Sequence, residues 1–195
     1  MAAILAVALM AGTVSGTAAA APELAWHLIQ QYPHSTLAFT EGLAICRGDL
    51  VESAGLYGDS YIEVRTLHTG RVLARHYLPP RDFGEGTTCA DGRIVQLTWR
   101  EGVAFSYDHG LNLLKRRPYA HQGWGLAFNG KRLVASDGSA TLYWLNSRTL
   151  KTTGKVEVTD NGKPVKELNE LEWAQGAIWA NVWHSSHVAR IDPAS

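Results

Sequence analysis

A pattern of about 40 residues recurs four times along this chain and constrains its fold more than any other feature. Each copy opens on a short segment rich in Gly, Glu and aromatic residues, continues into a turn that contains Gly, and then enters an apolar or β-branched run. The four openings are Phe39–Ala44, Phe83–Thr88, Gly123–Phe128 and Leu168–Trp173. A repeat of this length composed of strands predicts the blades of a β-propeller.

Turn residues inside each copy predict hairpins, because Asp-Gly and Asn-Gly tolerate positive φ between two strands. The turns are Arg47–Asp49, Ala90–Gly92, Asn129–Lys131 and Gln175-Gly176, and the runs after them cover 50–53, 94–99, 133–136 and 178–183. Alternating apolar residues then predict a third strand over 61–67, 102–107, 140–145 and 187–191. A fourth strand is expected over 71–78, 113–119 and 152–158, so the unit is four antiparallel strands.

The number of strands leaves the ring of blades open. Three units have four strands, and the fourth has three before the chain stops at Ser195. The segment Leu24–Tyr32 reads as a lone fourth strand, and in a closed propeller such a strand completes the last blade and removes a sheet edge. We therefore expect an all-β, five-bladed β-propeller that is C-terminally incomplete in this chain, with about four blades present. The alternative is a four-bladed ring in which Leu24–Tyr32 completes the fourth blade.

The charge balance argues against two classes of partner. Lys plus Arg and Asp plus Glu both number 18, so the formal net charge is zero. No long-range field attracts the chain to nucleic acid or to an anionic membrane. We expect neither as a partner of the mature protein, and we expect a monomer.

Residues 1–21 have the pattern of a secretory signal peptide, with an apolar run from Ala2 to Ala11 and small residues up to Ala21. The apolar run is too short for a membrane helix. The segment departs from the usual signal-peptide pattern in one respect, because no Lys or Arg precedes the apolar run. We expect residues 22–195 to form the propeller domain of a secreted or periplasmic protein. An exported chain can oxidise Cys46 and Cys89, and the sequence leaves open whether they form a disulfide or remain two buried thiols.

The first strand of each blade lines the axis of a propeller, so the four openings should converge at one face. They bring carboxylates, an amide and aromatic rings together, with Glu52, Trp99 and Trp183 at the ends of the second strands. A carboxylate against indole walls has a raised pKa, which suits proton transfer. The structural alternative is that the Trp rings pack blade against blade and that some glutamates cap turns.

Eight motifs in order resemble those of the plant and bacterial glutaminyl cyclases, and they cover about residues 26–193. They include Phe39-Thr40-Glu41-Gly42-Leu43, Phe83-Gly84-Glu85-Gly86, Gln96–Trp99, Gly123–Leu126, Leu168–Glu172 and Ile178–Trp183. Those enzymes are five-bladed glutaminyl-peptide cyclotransferases. The resemblance implies conversion of an N-terminal Gln of peptides or proteins to pyroglutamate with release of ammonia.

The resemblance also implies residue roles. Glu85 matches the catalytic glutamate of the family, and the matches to residues lining the substrate pocket are Phe39, Trp99, Trp124, Asn169 and Trp183. Glu41 stands where the family commonly has Gln, and we place it in the substrate site as well. The family uses a late lysine in a Gly-Lys stretch, and this sequence ends before one. We expect no cofactor and no metal in catalysis.

Two other functions remain open from the sequence. One is a non-catalytic propeller that binds peptide termini or another protein, because one fold hosts many functions. The other is a calcium-dependent propeller lactonase, with oxygens supplied by Glu41, Glu85, Glu170 and Glu172.

Overall fold

The computed structural model describes residues 20–194, and every regular element in that range is a β-strand. The strands form three four-stranded antiparallel sheets, one three-stranded sheet and a small hairpin. Blade one contains β1 (Thr40–Cys46), β2 (Asp49–Ala54), β3 (Tyr61–Thr66) and β4 (Val72–Tyr77); blade two contains β5 (Gly84–Ala90), β6 (Arg93–Thr98), β7 (Val103–Tyr107) and β8 (Leu113–Pro118). Blade three contains β9 (Leu126–Phe128), β10 (Arg132–Ala135), β11 (Thr141–Asn146) and β12 (Thr152–Glu157); the hairpin is β13 (Thr159–Asp160) with β14 (Lys163–Pro164), and blade four contains β15 (Leu168–Ala174), β16 (Ala177–Val182) and β17 (Val188–Ile191).

The hairpin pattern in the sequence predicts these blades closely. Within each blade the strands lie in chain order, which confirms the repeating antiparallel unit. The turn between β5 and β6 shows why the turn residues were informative: Asp91 and Gly92 have φ angles of 50° and 78°. Both angles lie in the left-handed region that a tight hairpin of this hand requires.

Three apolar clusters hold the blades together, one at each interface between neighbouring blades. At the first interface Val51 and Ile62 of blade one pack with Ile94 of blade two, and all three are fully buried. The second cluster includes Leu97, Leu126, Leu133 and Leu145, and the third includes Leu142, Trp144, Leu168 and Ile178. An apolar face of each of the first three blades is therefore covered by the next blade.

A disulfide joins Cys46 at the end of β1 to Cys89 near the end of β5. Their Cα atoms lie 5.7 Å apart, and the bond closes a loop with a sequence separation of 43. The question that the sequence left open is thus answered by a covalent link between blades one and two.

The segment Leu24–Tyr32 is not a strand in this structure, contrary to the sequence prediction. Trp26 and Ile29 are 85% and 88% exposed, and β17 remains the free edge of the fourth blade. The segment therefore does not complete blade four, which contradicts the four-bladed alternative. Its end packs on blade one, where the ring of Tyr32 contacts that of His68 at 5.4 Å. A strand forms only where a partner edge takes up its backbone hydrogen bonds, and the described chain places none beside this segment.

The predicted signal segment lies outside the described residues except for Ala20 and Ala21. Within the described range, no helix has the length and apolar character needed to cross a bilayer.

Candidate functional site

Three of the predicted site residues lie at irregular positions on the first strands of their blades. The ladder between β1 and β2 shifts register across Glu41, and the ladder between β5 and β6 shifts between Gly84 and Thr87, which flank Glu85. The ladder between β15 and β16 shifts across Asn169 in the same way. A bulge turns a side chain away from the regular alternation of a strand. The fold therefore uses one device to aim Glu41, Glu85 and Asn169.

Close backbone contacts bring these bulges together around the axis. A Cβ on Gly42 would lie 2.7 Å from the backbone N of Thr87, and one on Gly86 would lie 2.5 Å from the carbonyl oxygen of Trp124. The N–H of Gly86 donates to that same oxygen at 2.8 Å. Glycine is required where two strands approach this closely. The first strands of blades one, two and three consequently form a tight inner wall.

A buried hydroxyl continues this wall into blade four. Ser136 is fully buried; its Oγ accepts the N–H of Gly125 at 2.7 Å and donates to the carbonyl oxygen of Asn169 at 2.7 Å. Gly125, which follows Trp124, and Asn169 are thereby held together through one side chain.

Burial and neighbouring charges act together on the carboxyl group of Glu85. The residue is 6% exposed. Burial and then the nearby charges of Glu41, Glu170 and Glu101 raise the pKa of Glu85 to about 10. Burial also raises the pKa of Glu41 to about 7. At neutral pH, therefore, Glu85 holds a proton and Glu41 is divided between its two forms.

Aromatic rings form two clusters at this face. In the first, Phe83 makes edge or tilted contacts with Phe39, Tyr57 and Trp99, at centroid distances of 6.3, 5.3 and 5.7 Å. In the second, Trp124 and Trp183 meet at right angles with centroids 5.4 Å apart. The buried Nε1 of Trp124 has no hydrogen-bond partner among the described residues. This indole N–H is a free donor at the site.

A cavity of about 250 Å³ opens between blades one and four. Two predicted residues, Glu41 and Asn169, line it, and the other five do not. Its other lining residues are Thr40, Gly42, Leu43, Glu170 and Asn181. The structure thus divides six of the predicted residues between this cavity and the two aromatic clusters, and Glu85 lines neither.

Three residues near Glu85 were missed as site residues by the sequence reasoning. Phe83 is the centre of the first aromatic cluster, and it precedes Glu85 by the same spacing that separates Phe39 from Glu41, so the repeat itself held the signal. Glu101 accepts a hydrogen bond from the hydroxyl of Tyr57 at 2.8 Å. No repeat pattern marks Tyr57 or Glu101, because loops of different blades bring them together.

Glu52, which the sequence grouped with the pocket carboxylates, has a different environment. It is fully buried and pairs with Arg65 at 2.9 Å, and its Oε1 accepts a hydrogen bond from the hydroxyl of Thr40 at 2.6 Å.

The calcium hypothesis needs several oxygen ligands close together. In the described range, no three His, Cys, Asp or Glu side chains are placed to hold a metal ion.

Comparison with known proteins assigns the class of this propeller. The family model described as glutamine cyclotransferase matches residues 1–195. The chain is 43% identical over 170 residues to a glutaminyl-peptide cyclotransferase of Arabidopsis thaliana, covering 85% of this chain and 53% of that protein. It therefore spans about half the length of this curated relative.

A solved structure agrees in both fold and sequence. The glutaminyl cyclase of Myxococcus xanthus superposes with a TM-score of 0.80 at 36% identity, over 87% of this chain and 72% of that one. The predicted all-β propeller with about four blades present is confirmed. The chain belongs to the glutamine cyclotransferase family.

Proposed function

We propose that the protein containing this chain is a glutaminyl-peptide cyclotransferase, which converts the N-terminal Gln of peptides or proteins to pyroglutamate and releases ammonia. Family membership supports this activity, and one structural observation carries it. A buried carboxyl group, Glu85, lies on the inner wall of the propeller beside aromatic rings and holds its proton at neutral pH.

The reaction needs one group that exchanges a proton at two nitrogens. The substrate α-amine attacks the γ-carboxamide carbon, a C–N bond forms, and the C–N bond to the amide nitrogen breaks as ammonia leaves. An α-amine has a pKa near about 7.7–8.0, below that of Glu85. The neutral fraction of the α-amine is therefore the nucleophile, and Glu85 enters the reaction as the acid.

The same carboxyl group then completes the transfer. The Glu85 acid protonates the departing amide nitrogen, and the carboxylate formed takes the surplus proton from the new ring nitrogen. Each turnover returns Glu85 to its starting form. The oxyanion of the tetrahedral intermediate needs a donor, and the unpartnered indole N–H of Trp124 supplies one.

The remaining predicted residues bind substrate in this proposal. Glu41 and Asn169 face one cavity, and Glu41 attracts the α-ammonium group. The rings of Phe39, Trp99 and Trp183 exclude water around the bent glutaminyl chain, which must be held in a ring-like conformation for attack.

The test is ammonia release from a Gln-initiated peptide by wild type and by Glu85→Gln. We expect the variant to lose at least about a hundredfold in kcat, because Gln has the shape of Glu but cannot carry the proton. Glu157→Gln, an exposed change on β12, serves as the matched control. Turnover by Glu85→Gln at the wild-type rate would contradict the assignment.

Two further measurements separate the alternatives. A binding module predicts that Glu85→Gln keeps peptide affinity and that wild type never releases ammonia. Metal independence predicts unchanged turnover after treatment with a strong chelator, whereas a calcium-dependent lactonase predicts loss of lactone hydrolysis and its return with added calcium.

We further propose that the protein is exported and acts as a monomer. The signal-like residues 1–21 support export, and so does the Cys46–Cys89 disulfide, since such bonds persist in oxidising compartments. A mature N-terminus at Pro22 in mass spectrometry and a monomer mass in light scattering are the expected results. A retained leader or a dimer mass would overturn the respective statement.

A further inference from the structure

Four equivalent positions ring the inner wall, and one of them differs from the rest. They are Gly42, Gly86, Gly125 and Glu170, each placed directly after a site residue at the start of its blade. A Cβ on Gly125 would lie 2.1 Å from the carbonyl oxygen of Asn169, the closest approach in the ring. The position in blade four carries a side chain where the other three have none.

The Glu170 side chain crosses from blade four to blade one. Its Oε1 accepts the backbone N–H of Leu43 at 3.0 Å, across a sequence separation of 127 residues. Leu43 directly follows the ring position Gly42 on β1. One side-chain carboxyl group of blade four thus holds a backbone N–H group of blade one.

This contact spans the cavity that holds two site residues. Thr40 to Leu43 line one side, and Asn169, Glu170 and Asn181 line the other. The strands β1 and β15 belong to different sheets and share no ladder. The hydrogen bond from Leu43 to Glu170 therefore bears directly on the distance between the two sides.

We propose that Glu170 is a positioning residue: its carboxyl group links the first strands of blades one and four and so sets the separation of Glu41 and Asn169 across the cavity. The inference that this separation matters for turnover rests on the proposed function. The link itself does not.

The chemistry of the carboxyl group suits a permanent link. Burial raises the pKa of Glu170 well above its ordinary value, against the opposing effect of nearby backbone N–H groups. A carboxyl oxygen accepts the Leu43 N–H in either protonation state, so the link does not depend on the charge. Its Oε2 is buried without a hydrogen-bond partner among the described residues. An unsatisfied buried oxygen lowers the stability of the fold, so stability alone does not explain a carboxyl group at this position.

Two variants separate the link from the charge. Glu170→Gln keeps an oxygen that accepts the Leu43 N–H, whereas Glu170→Ala removes it. Glu172→Ala, on the same strand but exposed, is the matched control. Backbone amide hydrogen exchange is read at Leu43 and, as a reference for global opening, at Ile94 in blade two.

We expect Glu170→Ala to speed exchange at Leu43 by about tenfold relative to Ile94, the effect of losing one hydrogen bond. Glu170→Gln and Glu172→Ala should leave that ratio within about threefold of wild type. An unchanged ratio in Glu170→Ala would overturn the link. Equal acceleration at both amides would also overturn it, because that result describes a general loss of stability.

Kinetics with a Gln-initiated peptide then test the consequence. Glu170→Ala should raise KM by about tenfold, and Glu170→Gln should restore it, because a misplaced pair of binding groups weakens capture of the substrate. A KM unchanged in Glu170→Ala, with exchange at Leu43 accelerated, would overturn the role in positioning substrate. If wild type releases no ammonia, the proposed function fails while the exchange ratio still decides the link.

Discussion

The buried carboxyl group of Glu85 should make the stability of this protein fall as pH rises. Its pKa is about 10 in the folded chain against an ordinary value of 4.5. Between these values the native state keeps a proton that the unfolded state has released. A carboxyl group whose pKa is raised on folding contributes its full stability below about pH 4.5 and loses it progressively up to about pH 10.

The magnitude follows from the linkage between proton binding and folding. One extra proton in the native state lowers the free energy of unfolding by about 1.4 kcal/mol for each pH unit. From pH 5.5 to 8.5 the contribution of Glu85 therefore falls by about 4 kcal/mol. Because Glu85→Gln cannot titrate, the free energy of unfolding of the variant should rise by this amount relative to wild type over the same interval.

Urea denaturation followed by tryptophan fluorescence at pH 5.5, 7.0 and 8.5 measures this difference by linear extrapolation. The other buried carboxyl groups titrate in both proteins, so the difference isolates Glu85. Glu157→Gln on the exposed strand β12 should give a curve parallel to wild type. If Glu85→Gln is also parallel to wild type, Glu85 is not held neutral by burial, and the proton-transfer argument built on it fails.

Two further changes test the construction of the propeller. Gly125→Ala should lower the free energy of unfolding by about 1–3 kcal/mol or more, because its Cβ would lie 2.1 Å from the carbonyl oxygen of Asn169. The control is Gly154→Ala, whose Cβ would be 3.8 Å from its nearest neighbour. This control should be nearly neutral in the same urea titration. Replacing Cys46 and Cys89 together by Ser should lower the free energy of unfolding by about 4 kcal/mol, because the disulfide no longer closes a loop in the unfolded chain. Thermal or urea unfolding measures this loss. A reducing agent should destabilise wild type but not the double variant, and equal sensitivity of both would contradict a role for the bond.

Local rules accounted for most of the blade architecture. The turn at Asp91-Gly92 could be predicted because two residues that tolerate positive φ stand between two strand-like runs. The pairing of β5 with β6 follows from that turn and from the alternation of apolar residues, which are properties of neighbouring residues. The same reasoning failed for Leu24–Tyr32, since a strand also depends on a partner edge that a local pattern does not reveal.

The candidate site was predictable in part for the same reason. Glu41 and Glu85 begin equivalent units, so the repeat indicated that both face the axis. Phe83 was missed although its spacing from Glu85 repeats that of Phe39 from Glu41. Glu101 carried no such signal, because its approach to Glu85 depends on how a loop of blade two folds back over the site.

The sequence by itself determined the strands, their order within each blade and the residues placed at the start of each repeat, because hairpins depend on turn chemistry and on a period of two. The tertiary structure decided how strongly those residues are perturbed and which of them meet. Glu85 has its raised pKa from burial between blades, and Glu170 reaches Leu43 across 127 residues of chain. Burial and electrostatic coupling sum over neighbours from distant parts of the chain, so they are defined only when the blades pack around their common axis.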